Sequence, residues 1–193
     1  MGKNEWDEYA EDWDSNSDVQ SYADKAYAQL LKHCDIDGKT ILDFGCGTGV
    51  LTNRLSEKAQ RVVAIDPSTK MIEVLKGKSL PRVFTISNYL SERLINEQPE
   101  LSNKFDIIVA SSVCAFLPNY LEMLTLLKSL LKTNGTFIQW DWLAGNDSSM
   151  GLSENTVQQA FKRCQFSDYQ LSTPFDMNSP KGTTRVLMAI GKN

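Results

Sequence analysis

One histidine, His33, is all that the 193-residue sequence contains. A His₂ or His₃ metal centre cannot be assembled from it, and a Ser-His-Asp or Cys-His hydrolase would have to route its chemistry through that single imidazole. The four cysteines, Cys34, Cys46, Cys114 and Cys164, include no C-x-x-C pair, so no zinc framework is expected. No apolar run approaches the roughly 18 residues that span a bilayer. The opening residues are acidic rather than a signal sequence, which points to a reduced, cytoplasmic protein. A basic stripe is missing as well, and with it the means to track a phosphate backbone, so nucleic acid is not an expected partner. The formal charge is −4, but residues 1–24 hold eight acids against Lys3 and net −7, leaving +3 for the remainder.

What is present is an alternation. Short β-branched runs at Thr40–Phe44, Arg61–Ile65, Arg82–Ile86, Phe105–Ala110 and Thr136–Trp142 read as strands buried on both faces. Between them lie helix-period segments at Val50–Ala59, Ser68–Lys76, Glu92–Glu97 and Tyr120–Lys132, the last closed by Asn134-Gly135. A loop, Leu143–Gly151, leads to a helix over Ser153–Cys164, with Ser153 as its N-cap. Strands near Tyr169–Ser172 and Thr184–Ile190 follow with no helix between them, so they form a hairpin and reverse the final strand. At this length one α/β domain is expected over residues 1–193, a Rossmann-like doubly wound sheet core over 36–193 preceded by a helical region over 1–35.

The strongest chemical signal is Asp43-Phe44-Gly45-Cys46-Gly47-Thr48-Gly49, at the end of the first strand. Gly45 permits a sharp turn, Gly47 removes a Cβ that would block a ligand, and Gly49 lets the following helix pack closely. Asp66, 21 positions beyond Gly45, closes the second strand where a carboxylate can accept both hydroxyls of a ribose. A dinucleotide fingerprint needs a further glycine where Val50 stands, and an acid inside the turn repels phosphate. Asp43 suits a cationic ligand better. S-adenosyl-L-methionine, with an ammonium, a sulfonium and no phosphate, is such a ligand.

Ile41-Leu42-Asp43-Phe44-Gly45-Cys46-Gly47-Thr48-Gly49 closely resembles the first motif of class I S-adenosylmethionine-dependent methyltransferases. Val63-Ala64-Ile65-Asp66-Pro67-Ser68, followed by Met71, resembles the second. The likeness runs from about residue 4 to the end and implies a seven-stranded, mostly parallel sheet with an antiparallel last strand. It implies that Asp43, Gly45, Cys46, Gly47 and Thr48 face the methionine part, that Asp66 holds the ribose beside Pro67 and Ser68, and that Met71 packs near the adenine. Ser87, Asn88 and Tyr89 stand where the family often has an acid reading the adenine amino group, so a neutral group takes that role here. Ala110 and Ser111 border the site after the fourth strand. There the Asn/Asp-Pro-Pro-aromatic signature of enzymes that methylate amide or base nitrogens is missing, which favours a small-molecule acceptor.

Trp6, Tyr9, Ala10 and Trp13 share one face of an expected N-terminal helix. That face either packs on the sheet or forms a lid, since its spacing is similar to the helix preceding the first motif in ubiquinone- and menaquinone-type methyltransferases. On either reading its acids point outward. Gln139-Trp140-Asp141-Trp142 ends the fifth strand on the acceptor rim, with one tryptophan in the core and the other on the rim. Asp141 is a candidate base, substrate anchor or loop cap. Cys46 and Cys114 lack a charge partner and read as packing, and His33 as a solvated helix end. Segments 111–118 and 142–151 are expected to wall the acceptor pocket. The competing readings are a protein or RNA methyltransferase, a non-catalytic S-adenosylmethionine-binding protein, and an NAD(P)-binding oxidoreductase.

Overall fold

A computed structural model describes residues 5–102, 104–145, 151–179 and 182–193. Seven strands form one sheet: β1 (Thr40–Phe44), β2 (Arg61–Asp66), β3 (Val83–Ser87), β4 (Phe105–Ser111), β5 (Leu131–Trp142), β6 (Ser167–Ser179) and β7 (Gly182–Lys192). Their order is β3-β2-β1-β4-β5-β7-β6. β1 lies at the centre, pairing in parallel with β2 on one side and β4 on the other. β7 runs antiparallel to both β5 and β6, so the reversed final strand and its hairpin are as expected.

Alternate residues of the strands feed two cores, one on each face of the sheet. Ile41, Val62 and Ile107 pack with Leu30 of α1 (Ser17–His33) and Leu51 of α2 (Val50–Ser56). Leu42, Val63 and Ile108 face the opposite way, into a core shared with α4 (Glu92–Glu97), α5 (Pro99–Ser102), α6 (Tyr120–Ser129) and α7 (Glu154–Arg163). α3 (Thr69–Gly77) starts from its cap Ser68, whose Oγ accepts the Met71 N–H. Because the strand order reverses between β1 and β4, the loops after these strands diverge and leave a crevice at their carboxyl ends.

Several boundaries move for physical reasons. α6 stops at Ser129, before the Asn134-Gly135 stop signal, because Leu131 already pairs with Phe105 of β4. Asn134 and Gly135 instead sit inside β5, held to the terminal Asn193 through N–H···O bonds of 3.1 and 2.9 Å. Pro174, between the two last strands expected from the sequence, lies within β6 where the register against β7 shifts between Ser172 and Phe175. A missing N–H is tolerated there because β6 is an edge strand. At the N-terminus the expected single helix is two 3₁₀ turns, Glu5–Glu8 and Trp13–Ser15, and α1 begins only where Asn16 Oδ1 caps the Asp18 N–H at 2.9 Å. No helix among the described residues is long and apolar enough to cross a membrane.

Gly49 caps α2 with φ +81°, and a Cβ there would lie 2.3 Å from Leu75 Cδ1. It therefore clears the neighbouring helix α3 rather than its own strand. Gly49→Ala combines left-handed strain with overpacking and should lower the unfolding free energy by about 2–4 kcal/mol, read from denaturant midpoints.

Candidate functional site

After Phe44 the chain turns back at Gly45 (φ +71°), and the N–H groups of Gly45 and Cys46 both donate to the Ile65 carbonyl oxygen at 2.8 and 3.1 Å. A Cβ at Gly45 would strike Val113, with 2.4 Å to Cγ2. At Gly47 (φ +54°) a Cβ would meet nothing nearer than Trp13 Nε1 at 3.9 Å and Met71 Sδ at 4.0 Å, so this face of the turn opens into space. Asp66 then joins two loops: Oδ2 accepts the Gly47 N–H at 2.9 Å and Oδ1 the Ser68 N–H at 2.8 Å. Asp43 Oδ2 accepts from Thr52 Oγ1 at 2.6 Å.

A cavity of about 480 Å³ opens over this floor. Asp43, Gly45, Cys46, Gly47, Asp66 and Pro67 line its polar end, with Met71 and Ser111 beside them. Trp6, Trp13 and Trp142 line the remainder. Eleven of the residues singled out from the sequence thus converge on one space.

Both floor carboxyls resist ionisation. Burial raises Asp43 to about 7, with the Thr52 hydroxyl opposing and the Asp66 charge adding to the rise. Asp66 is also raised by burial, against the lowering effect of the Ser68 and Gly47 N–H groups. Burial, reinforced by nearby carboxyls, pushes the Cys46 and Cys114 thiols well up, as befits packing rather than nucleophilic cysteines. Among the described residues no cluster of His, Cys, Asp and Glu is arranged to hold a metal.

Of the acids in the N-terminal segment, Glu5, Glu8, Glu11 and Asp12 are exposed as expected, but Asp7 and Asp14 turn inward. Asp14 Oδ1 accepts from Thr48 Oγ1 at 2.6 Å, and its other oxygen pairs with Lys78 Nζ at 2.6 Å. Asp7 Oδ1 accepts from Ser68 Oγ at 2.5 Å. These bonds explain why the segment is not one helix: its carboxylates reach down to hydroxyls on both glycine-turn and second-strand loops. Trp6 then packs edge-on against Trp13 (6.0 Å) and Phe116 (5.2 Å).

Other expectations fall outside the cavity wall. Trp140 is fully buried in the core and is not a pocket residue, whereas Trp142, two positions on, reaches the wall. Asp141 is buried, at 0% exposure, and accepts the Ala115 N–H and the Gln139 amide, each at 3.0 Å. It anchors the 3₁₀ turn Cys114–Phe116 from beneath instead of touching the cavity. Thr48, Ser68 and Ala110 are buried behind the lining, and Tyr9 is 56% exposed on the outside of Trp6 and Trp13. Ser87 Oγ meets Thr69 Oγ1, while Asn88 and Tyr89 lie beyond β3, outside the wall. Of segment 111–118, Ser111, Ser112, Val113 and Phe116 line the cavity, and residues 146–150 of segment 142–151 lie outside the described residues. Sequence reasoning missed Asn16, Val19 and Tyr22 of the α1 region, and Met177 and Thr184 of the β6–β7 hairpin. The polar, evenly charged start of α1 offered no motif, although its apolar spacing at Val19, Tyr22, Ala23 and Ala26 was there to be read.

Two outcomes follow from these contacts. Asp14→Ala removes a charge-assisted bond of about 1.5–3 kcal/mol and should speed amide exchange of residues 5–15 at least about tenfold, with the sheet core unchanged. Because the folded value of Asp43 is raised from 3.8 to about 7, its protonated form stabilises the ligand-free protein fully below about pH 4. That contribution is lost as pH rises through about 7, at up to about 1.4 kcal/mol per pH unit. Denaturant midpoints across this range should therefore fall more steeply for wild type than for Asp43→Asn.

Residues 15–171 match the family described as "Methyltransferase domain". A malonyl-[acyl-carrier protein] O-methyltransferase of Halalkalibacterium halodurans is 34% identical over 134 residues, 65% of this chain and 49% of that protein. A ubiquinone biosynthesis O-methyltransferase of Haemophilus ducreyi is 28% identical over 101 residues, 51% of this chain and 43% of that protein. The chain thus spans less than half the length of either relative. Magnesium protoporphyrin IX methyltransferase from Synechocystis PCC 6803, solved with bound SAH, has the same fold, with a TM-score of 0.69 at 17% identity over 90% of this chain and 83% of that one. With most of its length matched, the class I sheet order and both expected motifs in place, the chain belongs to the methyltransferase domain family.

Proposed function

We propose that this chain binds S-adenosyl-L-methionine and transfers its methyl group to a small-molecule acceptor, releasing S-adenosylhomocysteine. One observation carries the reading: a single cavity runs from two buried, hard-to-ionise carboxyls at the sheet's switch point to an aromatic wall under the N-terminal segment. The residues fit the cofactor. Asp43 and Asp66 have no cationic side chain beside them in the lining among the described residues, and a ligand bearing positive charge supplies it. Asp66 retains lone pairs for ribose hydroxyls after its two backbone bonds. Gly47 leaves room for close approach, and Met71 offers a polarizable face for the adenine. Ser87 and Asn88, the neutral groups expected at the adenine edge, stand just outside the cavity wall, where the Asn88 N–H donates to the Asp66 carbonyl oxygen at 3.1 Å.

The bound cofactor supplies an activated methyl, so that an acceptor lone pair bonds to its carbon while the C–S pair stays with sulfur. The chain's own part is alignment and exclusion of water. The segment Glu5–Ser15 acts as the lid, latched by Asp7 and Asp14. At about 480 Å³ the cavity is near the lower end of the about 300–1,000 Å³ of ligand sites, which favours a small acceptor over a macromolecule. The curated relative named for ubiquinone biosynthesis supports the same class.

Thermal unfolding with S-adenosylhomocysteine tests this. At about 100-fold excess over its dissociation constant it should add about 2.7 kcal/mol of stability to wild type and little to Asp66→Ala. No stabilisation of wild type would sink the reading, and stabilisation by NAD(P) in its place would move the chain to the oxidoreductases.

A further inference from the structure

The acceptor half of the cavity has a composition that selects by charge. Its wall is Trp6, Phe116, Trp142, Tyr22, Val19 and Met177. The charged residues lining the whole cavity are Asp18, Asp43 and Asp66; among the described residues it has no lysine, arginine or histidine. Three cations on neighbouring elements are already engaged. Lys25 donates to the Asp176 carbonyl oxygen at 2.7 Å, Arg54 pairs with Asp24 at 2.7 Å, and Lys78 pairs with Asp14 at 2.6 Å. A carboxylate or phosphate held in the acceptor half would shed hydration beside the Asp18 carboxylate and meet no lysine, arginine or histidine among the described lining residues, which disfavours it there. A neutral ring or an ammonium meets the opposite situation: aromatic surfaces to pack on and, for a cation, ring faces and Asp18 to attract it.

Two polar groups have nothing else to do there. Tyr22 is 7% exposed, its ring packs on Trp142 (5.3 Å) and Phe175 (5.5 Å), and its hydroxyl has no hydrogen-bond partner among the described residues. Burial holds the phenol well above its ordinary range, so it stays a neutral donor. Asp18, in the first turn of α1, is exposed at the rim and forms no ion pair among the described residues. We infer that the acceptor is a ring-bearing small molecule without carboxylate or phosphate, neutral or cationic, and that Tyr22 and Asp18 are the residues that read its polar group. The inference rests on the methyl-transfer reading of the same cavity.

Tryptophol, tryptamine and indole-3-acetate share one ring and differ in charge, and so serve as probes. In saturating S-adenosylhomocysteine, tryptophol and tryptamine should raise Tm further and indole-3-acetate should not. Tyr22→Phe keeps the ring and should weaken tryptophol about tenfold. It should leave 3-methylindole, which lacks the hydroxyl, and S-adenosylhomocysteine unchanged; a merely structural tyrosine would move all three together. Asp18→Asn should weaken tryptamine more than tryptophol. Indole-3-acetate binding as well as tryptophol, or Tyr22→Phe without effect on tryptophol, overturns the inference. A wild-type protein that S-adenosylhomocysteine does not stabilise overturns the cofactor reading instead, which keeps the two failures apart.

Discussion

The Asp66 carboxylate, with one oxygen on the Gly47 N–H and the other on the Ser68 N–H, makes one body of the loops that follow β1 and β2. Everything above the sheet depends on that junction. The residue next to Gly47 is Thr48, whose hydroxyl binds Asp14; the second loop offers the Ser68 hydroxyl to Asp7. Each loop therefore presents a backbone donor downward to Asp66 and a hydroxyl upward to the N-terminal segment. The N-terminal segment is fastened to the same few residues that shape the cavity floor, so movement of either loop loosens it.

The junction has an electrostatic cost that the fold leaves standing. Asp43 and Asp66 are buried close enough for each other's charge to matter, and no described lining residue carries positive charge. A core built for stability alone would have placed a lysine or an apolar pair there. Keeping two uncompensated acids makes sense where the missing charge arrives with a ligand, since the differential interaction then goes into binding. Cys46 shows the same field from the other side: burial and the neighbouring acids keep its thiol protonated at the cavity floor.

Much of this was legible in the sequence because it rests on local chemistry. The strands announce themselves by β-branched runs, the glycine turn by residues that must take positive φ, and Asp66 by its distance from Gly45. What the sequence hid is set by long-range geometry. Helical spacing at Trp6, Tyr9, Ala10 and Trp13 correctly grouped the aromatics, yet contacts 34 and 61 residues away break the helix into 3₁₀ turns. Trp140 and Trp142 share a strand face, and only the closing positions of β7 and α1 decide that one is core and the other wall. The hairpin's contribution was invisible for a similar reason: Met177 and Thr184 are paired with each other across the turn, far from any motif.

The buried polar chain under the 3₁₀ turn completes the logic of the acceptor side. Tyr120 donates to Gln139 at 2.7 Å, Gln139 to Asp141 at 3.0 Å, and Asp141 takes the Ala115 N–H. Because Gln139 and Asp141 are fully buried, these bonds fix the turn that carries Phe116. Phe116 is in turn the body's contact for Trp6 at 5.2 Å. The N-terminal segment is thus held by two unlike interactions: hydrogen bonds to the loops after β1 and β2 at Asp7 and Asp14, and aromatic packing on the 3₁₀ turn at Trp6. Each meets a different part of the cavity's surround: the loops after β1 and β2 on one side, and the 3₁₀ turn after β4 on the other.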